Sequence, residues 1–225
     1  MYFVSSERLA VLIDGANLQT TARALDLDVD YRRLLALFRG KAHLVRALYY
    51  TTIVEDDEFS SIRPLIDWLA YNGFTVVTKS VKTFIDGDGR RHTKASMGVE
   101  LTVDALVLAP RLDHLVLVTG DGDYTPLVAA LQQAGKRVTV ISTLATQPSM
   151  VADELRRRAD QFIDLGALAE YIARSPDTPR TPARNAQAAD PISSAKSRGR
   201  RMRATALPTA HVTPQNTPSS PTTTS

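Results

Sequence analysis

The sequence predicts an α/β protein: a central, mostly parallel sheet with helices on both faces, a three-layer α/β/α arrangement. Three observations predict it. Short runs rich in β-branched residues alternate with segments whose apolar residues recur every three or four positions. The helical segments stand between the strand runs, so successive strands are joined by crossovers and run parallel. The chain has 225 residues and is 44% hydrophobic, enough to fill a real core.

In chain order, "LAVLID" (9–14) reads as the first strand and "YRRLLALFRG" (31–40) as a helix closed by glycine. "HLVRALYYTT" (43–52) is the second strand, "FSSIRPLIDWLAYNG" (59–73) a helix and "FTVVTK" (74–79) the third strand. "SVKTFIDGDGRRHTK" (80–94) interrupts the alternation, and its Asp-Gly pairs predict a hairpin or flexible loop beside the sheet. In "VELTVDALVLAP" (99–110) the residues Val99, Leu101, Val103, Ala105, Leu106 and Leu108 cover most of the circumference, which predicts a helix largely packed against the sheet. "HLVLVT" (114–119), "YTPLVAALQQAG" (124–135) and "RVTVIS" (137–142) give strand, helix and strand. "MVADELRRRAD" (150–160) reads as a last core helix with Arg156, Arg157 and Arg158 in solvent, in preference to a grip on RNA. A weak final strand lies around 162–165, and there is no internal repeat.

The folded domain is expected to span 1–175. From Pro176 on, eight of the twelve prolines stand among Thr, Ser, Ala and Gln with few large apolar residues, which predicts a disordered basic tail over 176–225. The formal charge of +3 is divided: seven basic and two acidic residues lie in the tail, leaving +5 there and −2 on the first 175 residues. "KSRGRRMR" (196–203) is either a solubilising cluster or an electrostatic hook for nucleic acid. The absence of cysteine excludes disulfides and thiolate metal sites and fits a reducing compartment. "MYFVSSERLAVLIDG" has no basic n-region and reads as a lead into the first strand; with no bilayer-length apolar stretch, a cytoplasmic protein without membrane contact is expected.

In an open parallel sheet, ligands collect beyond the carboxyl ends of the strands, where strand order reverses. Asp14 ends the first strand. Asp121 and Asp123 follow the fourth in "LVLVTGDGDYTPL", where Gly120 and Gly122 allow turns that keep both acids near the strand tip. Glu100 and Asp104, four apart, share one helix face. Singly each acid has an ordinary use as a turn residue, a cap or a solvated charge. Together they favour a site, because acids gathered on apolar elements need a partner and a divalent cation would be one. Oxygen ligands without cysteine or paired histidine point to Mg²⁺ or Mn²⁺. Such an ion lowers the pKa of bound water and neutralises charge growing on phosphate oxygens, so phosphodiester hydrolysis is the reaction expected. There is no GxSxG elbow. His43, His92, His114 and His211 show no ligand spacing.

"VLIDGANL" (11–18), "VELTVDAL" (99–106) and "VTGDGDYTPLVAAL" (118–131), in that order, resemble the NYN or LabA-like branch of the PIN-domain nuclease superfamily, over about residues 8–165. The resemblance implies a PIN-like, Rossmann-like fold and metal-dependent cleavage of RNA. It further implies a metal pocket made by Asp14, Asp104, Asp121 and Asp123. Asn17 matches the family's Asn and would orient a carboxylate or the scissile phosphate. Thr119 stands where the family has Ser or Thr and would bond phosphate or a metal ligand. Lys94 stands before the acidic helix and would touch substrate phosphate. One departure is Gly98, where many relatives carry a further Asp; Glu100 would substitute for it, or the site would hold one metal instead of two.

Rival readings are weaker. A Toprim-like site usually relies on Glu at the first strand tip, where this chain has Asp14. A dinucleotide module would need glycine where Thr125 stands, and its pyrophosphate would meet two acids. The strongest competitor is a non-catalytic RNA-binding or regulatory protein that keeps the PIN shell. RNA is the expected partner in either case, the basic tail is a candidate second contact, and a homo-oligomer is left open.

Overall fold

A computed structural model describes residues 3–54, 62–81, 84–85, 91–92 and 96–175. Strands β1 (Arg8–Asp14), β2 (His43–Val54) and β3 (Thr75–Val81) build one half of the sheet. A two-residue hairpin of β4 (Phe84–Ile85) and β5 (Arg91–His92) follows, antiparallel as its Asp-Gly pairs predict. Strands β6 (His114–Val118), β7 (Arg137–Ser142) and β8 (Gln161–Asp164) build the other half. The six-stranded sheet has the order β3-β2-β1-β6-β7-β8, and every pairing in it is parallel. From β1 the chain winds outward to β3, then returns to place β6 on β1's other side. The switch point is therefore the seam between β1 and β6.

Helices α1 (Gly15–Ala24), α2 (Tyr31–Arg39), α3 (Arg63–Tyr71), α4 (Gly98–Leu108), α5 (Thr125–Gln133), α6 (Asp153–Arg158) and α7 (Ala169–Ile172) divide between the two faces. The two-residue period of β1 decides which face each side chain serves. Leu9, Val11 and Ile13 pack with Leu18 of α1, Leu34 and Phe38 of α2, and Leu65 and Leu69 of α3. Ala10 and Leu12 pack with Leu101 and Ala105 of α4, Val128 and Leu131 of α5, and Leu155 of α6. Both faces are covered at the centre of the sheet, so the central strands β1 and β6 read as continuous apolar runs, whereas the edge strand β3 stays partly exposed. Among the described residues, no helix is long and apolar enough to cross a membrane.

Two features differ from the sequence expectation. Helix α1 carries little helical periodicity: its buried residues are Gly15, Leu18, Thr21 and Ala22, so a single large apolar side chain anchors it. It is fixed at its start by Asp14, whose side chain accepts from the Asn17 backbone N–H as an N-cap. Helix α4, expected to be packed nearly all round, buries only Leu101 and Ala105 fully within its span. Val99, Val103, Leu106 and Val107 stay exposed, because one helix can turn only one stripe toward a sheet. The expected tail over 176–225 lies outside the described residues, as does Lys94.

Gly120 marks where the segment after β7 folds back on the switch point. A Cβ at this position would lie 1.8 Å from the Met150 carbonyl oxygen and 2.7 Å from Ser142 Oγ. The Ala152 N–H donates to the Gly120 carbonyl at 2.8 Å, so the two backbones are joined in that close approach. Glycine here serves contact with backbone, rather than the turn the sequence suggested.

His114 is wholly buried at the start of β6. The Arg137 guanidinium donates to its Nδ1 at 3.0 Å, and its Nε2 lies 2.8 Å from Thr139 Oγ1. The assignment that satisfies both contacts is neutral imidazole with the proton on Nε2. Burial, then the Arg137 charge, pushes its pKa down to about 4 against the partial support of Glu7.

Replacing Gly120 with alanine is expected to cost about 2–4 kcal/mol, because a backbone carbonyl must move aside; urea unfolding of Gly120→Ala checks this. For His114 the folded pKa is depressed, so the unfolded chain binds more protons between the two values. The stability it contributes is present above about pH 6.5 and is lost as pH falls toward 4. Urea midpoints should fall over that window, and the His114 ring should titrate near pH 4 by NMR.

Candidate active site

The register of the sheet builds the site. Asp14 is the last residue of β1 and pairs with Tyr50 on β2, while Ile13 pairs with Val118 on β6. The tips of β1 and β6 are thus neighbours, and the residues just beyond them meet. Thr119, 1% exposed, donates its hydroxyl to Asp14 Oδ2 at 3.4 Å and accepts the Asp121 N–H at 3.2 Å. Asn17, in the first turn of α1, accepts the Gly120 N–H on its side-chain oxygen at 2.9 Å. Asp121 accepts the Asp123 N–H at 3.0 Å and so caps the helical turn Gly122–Tyr124 that leads into α5. These bonds lock the corner "TGD" to the start of α1.

Asp14 and Asp121 line the same cavity, of about 350 Å³, together with Asn17, Tyr50, Thr51 and Met150. Burial raises the Asp14 pKa above the usual carboxylate range, and the charge of Asp121 raises it further. The hydrogen bonds from Asn17 and Thr119 offset part of this. Two acids are therefore held facing one space against both desolvation and mutual repulsion.

The other acids stand around this pair at different ranges. Tyr50, on the cavity wall, donates its hydroxyl to Asp104 Oδ2 at 3.0 Å, so Asp104 of α4 is tied to the wall through a phenol. Burial, followed by the Asp104 charge, pushes the Tyr50 hydroxyl far above the ordinary tyrosine range, which keeps it a proton donor to that carboxylate. Glu100 turns to Lys79 of β3 at 2.8 Å, and that hydrogen bond lowers its pKa. Its other oxygen, Oε2, is buried without a hydrogen-bond partner. Asp123 lines a neighbouring cavity with Gly122, Glu154 and Arg158. Tyr124, buried beneath the corner, registers all of these acids but Asp104. Its phenol pKa is raised first by burial and then by Asp14, Asp121, Asp123 and Glu100 in turn.

Of the residues the sequence singled out, the structure brings Asp14, Asp121 and Asn17 to one cavity and sets Asp104 behind Tyr50 at its wall. Thr119 is almost wholly buried and spends its hydroxyl on the Asp14 carboxylate and the Asp121 N–H. Glu100 and Asp123 point their charge elsewhere, and Lys94 lies outside the described residues. Among the described residues, no three of Asp, Glu, His or Cys stand close enough to hold one ion together. A magnesium-like ion does not need three, since it keeps several waters and is commonly bound by one or two carboxylates plus substrate phosphate. The all-oxygen donor set and the repulsion between Asp14 and Asp121 fit such an ion. Sequence reasoning missed Tyr50 and Tyr124. The available signal was position: "YYTT" occupies the carboxyl end of the strand beside β1, where ligands gather.

A doubly wound parallel sheet with strand-tip carboxylates at its switch point is the architecture of an α/β domain, and the family match makes it one of the PIN-like, nuclease-like class. The chain belongs to the NYN domain family, whose model matches residues 8–167. It is 33% identical over 172 residues to the low amplitude and bright protein LabA of Synechococcus elongatus, covering 75% of this chain and 89% of that protein. A crystal structure of a protein of unknown function from Vibrio parahaemolyticus superposes with a TM-score of 0.59 at 29% identity, covering 73% of this chain and 96% of that one.

Asp14→Asn keeps the helix cap, since Asn caps as well as Asp, and removes one of the two opposed charges. At neutral pH without divalent ions the variant should be more stable than the parent by up to about 1 kcal/mol, as expected where a site is held against local repulsion. The sign follows from the raised pKa: the ionised Asp14 carboxylate is disfavoured by folding, so stability is lost as pH rises through its folded value. Thermal unfolding of the variant and the parent side by side in chelator measures the first effect, and a gap between the two that widens as pH rises from the acid side measures the second.

Proposed function

We propose that the chain is a metal-dependent ribonuclease that hydrolyses RNA phosphodiester bonds in the crevice between β1 and β6, with Mg²⁺ or Mn²⁺ as its ion. The observation that carries this reading is the pair Asp14 and Asp121, drawn from two strand tips 107 positions apart in sequence and facing one cavity, with the Asp14 carboxylate partly buried and repelled. Membership of a nuclease-like family supports hydrolysis, and hydroxyl and amide groups on the cavity wall suit a phosphate–sugar backbone.

In this reading Asp14 and Asp121 hold the ion, and Asp104 contributes through its place beside Tyr50. The ion, when bound, would supply an acidified water and neutralise charge on the phosphate. Thr119 holds the two acids in register by bonding one carboxylate and one backbone N–H. Asn17 spends its side-chain oxygen on Gly120, which leaves its amide N–H₂ as the only group it has for a phosphate oxygen. Tyr50 keeps its proton and fixes the Asp104 carboxylate. The chain needs no nucleophilic side chain.

A second reading, an RNA-binding protein with weak or no cleavage, is favoured by one observation. Glu100, the acid that would replace the missing carboxylate at Gly98, is occupied by Lys79. One assay separates the two. Single-stranded and structured RNA, with DNA alongside, are incubated with the full chain in Mg²⁺, Mn²⁺ or chelator. The nuclease reading expects cleavage of RNA only with the ion, and a loss of about a thousandfold or more in Asp14→Asn and in Asp121→Asn with folding intact. Metal-dependent RNA binding without cleavage by the parent chain would establish the second reading instead.

A further inference from the structure

Helix α4 presents an apolar stripe to solvent. Val99 is 71% exposed, Val103 53%, Leu106 45% and Val107 60%. At 100° per residue these four, with exposed Pro110 just beyond the helix, fall within about a third of the circumference, and no charged residue interrupts them. Asp104 and Glu100 flank the stripe on one side, between it and the buried face of Leu101 and Ala105. An exposed helix face ordinarily carries polar residues. Side chains this large and this exposed leave roughly 400 Å² of apolar surface in one patch, within the range of the largest patch on a typical monomer, which is often functional.

Among the described residues, no other segment packs on the stripe. The segments outside the described residues between β2 and α4 hold one large apolar residue, Phe59. From Pro176 on, the large aliphatic residues are Ile192, Met202, Leu207 and Val212, too widely spaced to lay a continuous series along a helix. Sparse apolar residues in these segments favour an occupant from another molecule.

The stripe is its own complement. Val99, Val103 and Val107 form a ridge at four-residue spacing, symmetric about Val103, and Leu106 and Pro110 form the next ridge with a groove between. Two such helices crossing on a two-fold axis set the valine ridge of each into the groove of the other, the commonest packing of helices in globular proteins. Valine keeps the approach close. Two patches with their polar rims bury on the order of 1,200 Å², at the low end of stable interfaces and within the range of a reversible dimer. The small net charge of −2 on residues 1–175 opposes such association little.

We infer that the exposed face of α4 is a homodimer surface on which a second copy of this chain packs, α4 against α4, about Val103. The test uses the absence of cysteine from the chain. Sedimentation velocity of the full chain over two decades of micromolar concentration should show a monomer–dimer equilibrium. Val103→Asp should weaken it at least tenfold with an unchanged circular dichroism spectrum. Val103→Cys, at the axis, should form a symmetric disulfide dimer under mild oxidation, while Lys41→Cys on the far side of the fold should not. A parent chain that stays monomeric throughout overturns the inference. So does a dimer that Val103→Asp leaves intact, or equal cross-linking of the two cysteine variants. A monomer whose Val103 face instead binds lipid vesicles would assign the stripe to another partner and overturn it equally. None of these outcomes depends on nuclease activity.

Discussion

The seam between β1 and β6 brings the Asp14 carboxylate, withdrawn from water, within the field of Asp121. That is an unfavourable arrangement, and much of the surrounding structure maintains it. Thr119 bonds to one acid's side chain and the other's backbone. Asn17 clamps the start of α1 to Gly120. The segment after β7 closes over Gly120 so tightly that no side chain fits there. Each bond is ordinary in strength, about 1 kcal/mol or somewhat more where a charge takes part. Their effect is collective: neither acid can swing away to relieve the repulsion without breaking a bond that also holds a strand tip or a helix start.

Tyr50 and Tyr124 extend the same logic outward. Both phenols sit in negative surroundings that hold their protons on, and both are buried on the α4 and α5 side of the sheet. A tyrosine kept neutral among carboxylates serves as a donor and an apolar filler at once. It lets Asp104 approach the crevice without adding a third bare charge next to Asp14. Graded ranking of the acids follows from this. Asp14 and Asp121 share a cavity, Asp104 is buffered by a hydroxyl, Glu100 is neutralised by Lys79, and Asp123 faces a different space. An ion between Asp14 and Asp121 would relieve the strongest repulsion first.

Much of this was legible in the sequence. Alternating runs gave all six strands of the sheet to within two residues at most ends, since a fully buried parallel strand is an unbroken apolar word. That Asp14 and Asp121 stand at strand tips followed from where the apolar runs end, while the order that makes those strands neighbours came only with the structure. Helix α1 was not read as a periodic element because Leu18 is its single large buried side chain, and its identity rests on a cap and on packing. The exposure of α4 was hidden for the opposite reason: apolar residues lie all round it, and a sequence does not say which stripe faces the sheet. The separation of Asp123 from Asp121 was also hidden, because Asp121 stands in extended backbone as the cap of a turn that contains Asp123, and that cap is not legible from their proximity in the chain.

The charge division between the two parts of the chain bears on how a polyanion could approach. Residues 1–175 carry −2, and the crevice itself is acidic, so the folded part has no long-range attraction for a nucleic acid. If the crevice takes RNA as proposed, its affinity there would come at short range, from a bound ion and from groups such as the Asn17 amide. Long-range attraction is left to the +5 segment from Pro176 onward, whose contribution would fall with salt roughly as the number of phosphates it neutralises. Capture and chemistry would then respond to different variables, ionic strength for one and divalent ion for the other. That separation follows from where the arginines and the aspartates stand in the chain, because a strand-tip site that repels its own acids cannot also be the surface that draws a polyanion in.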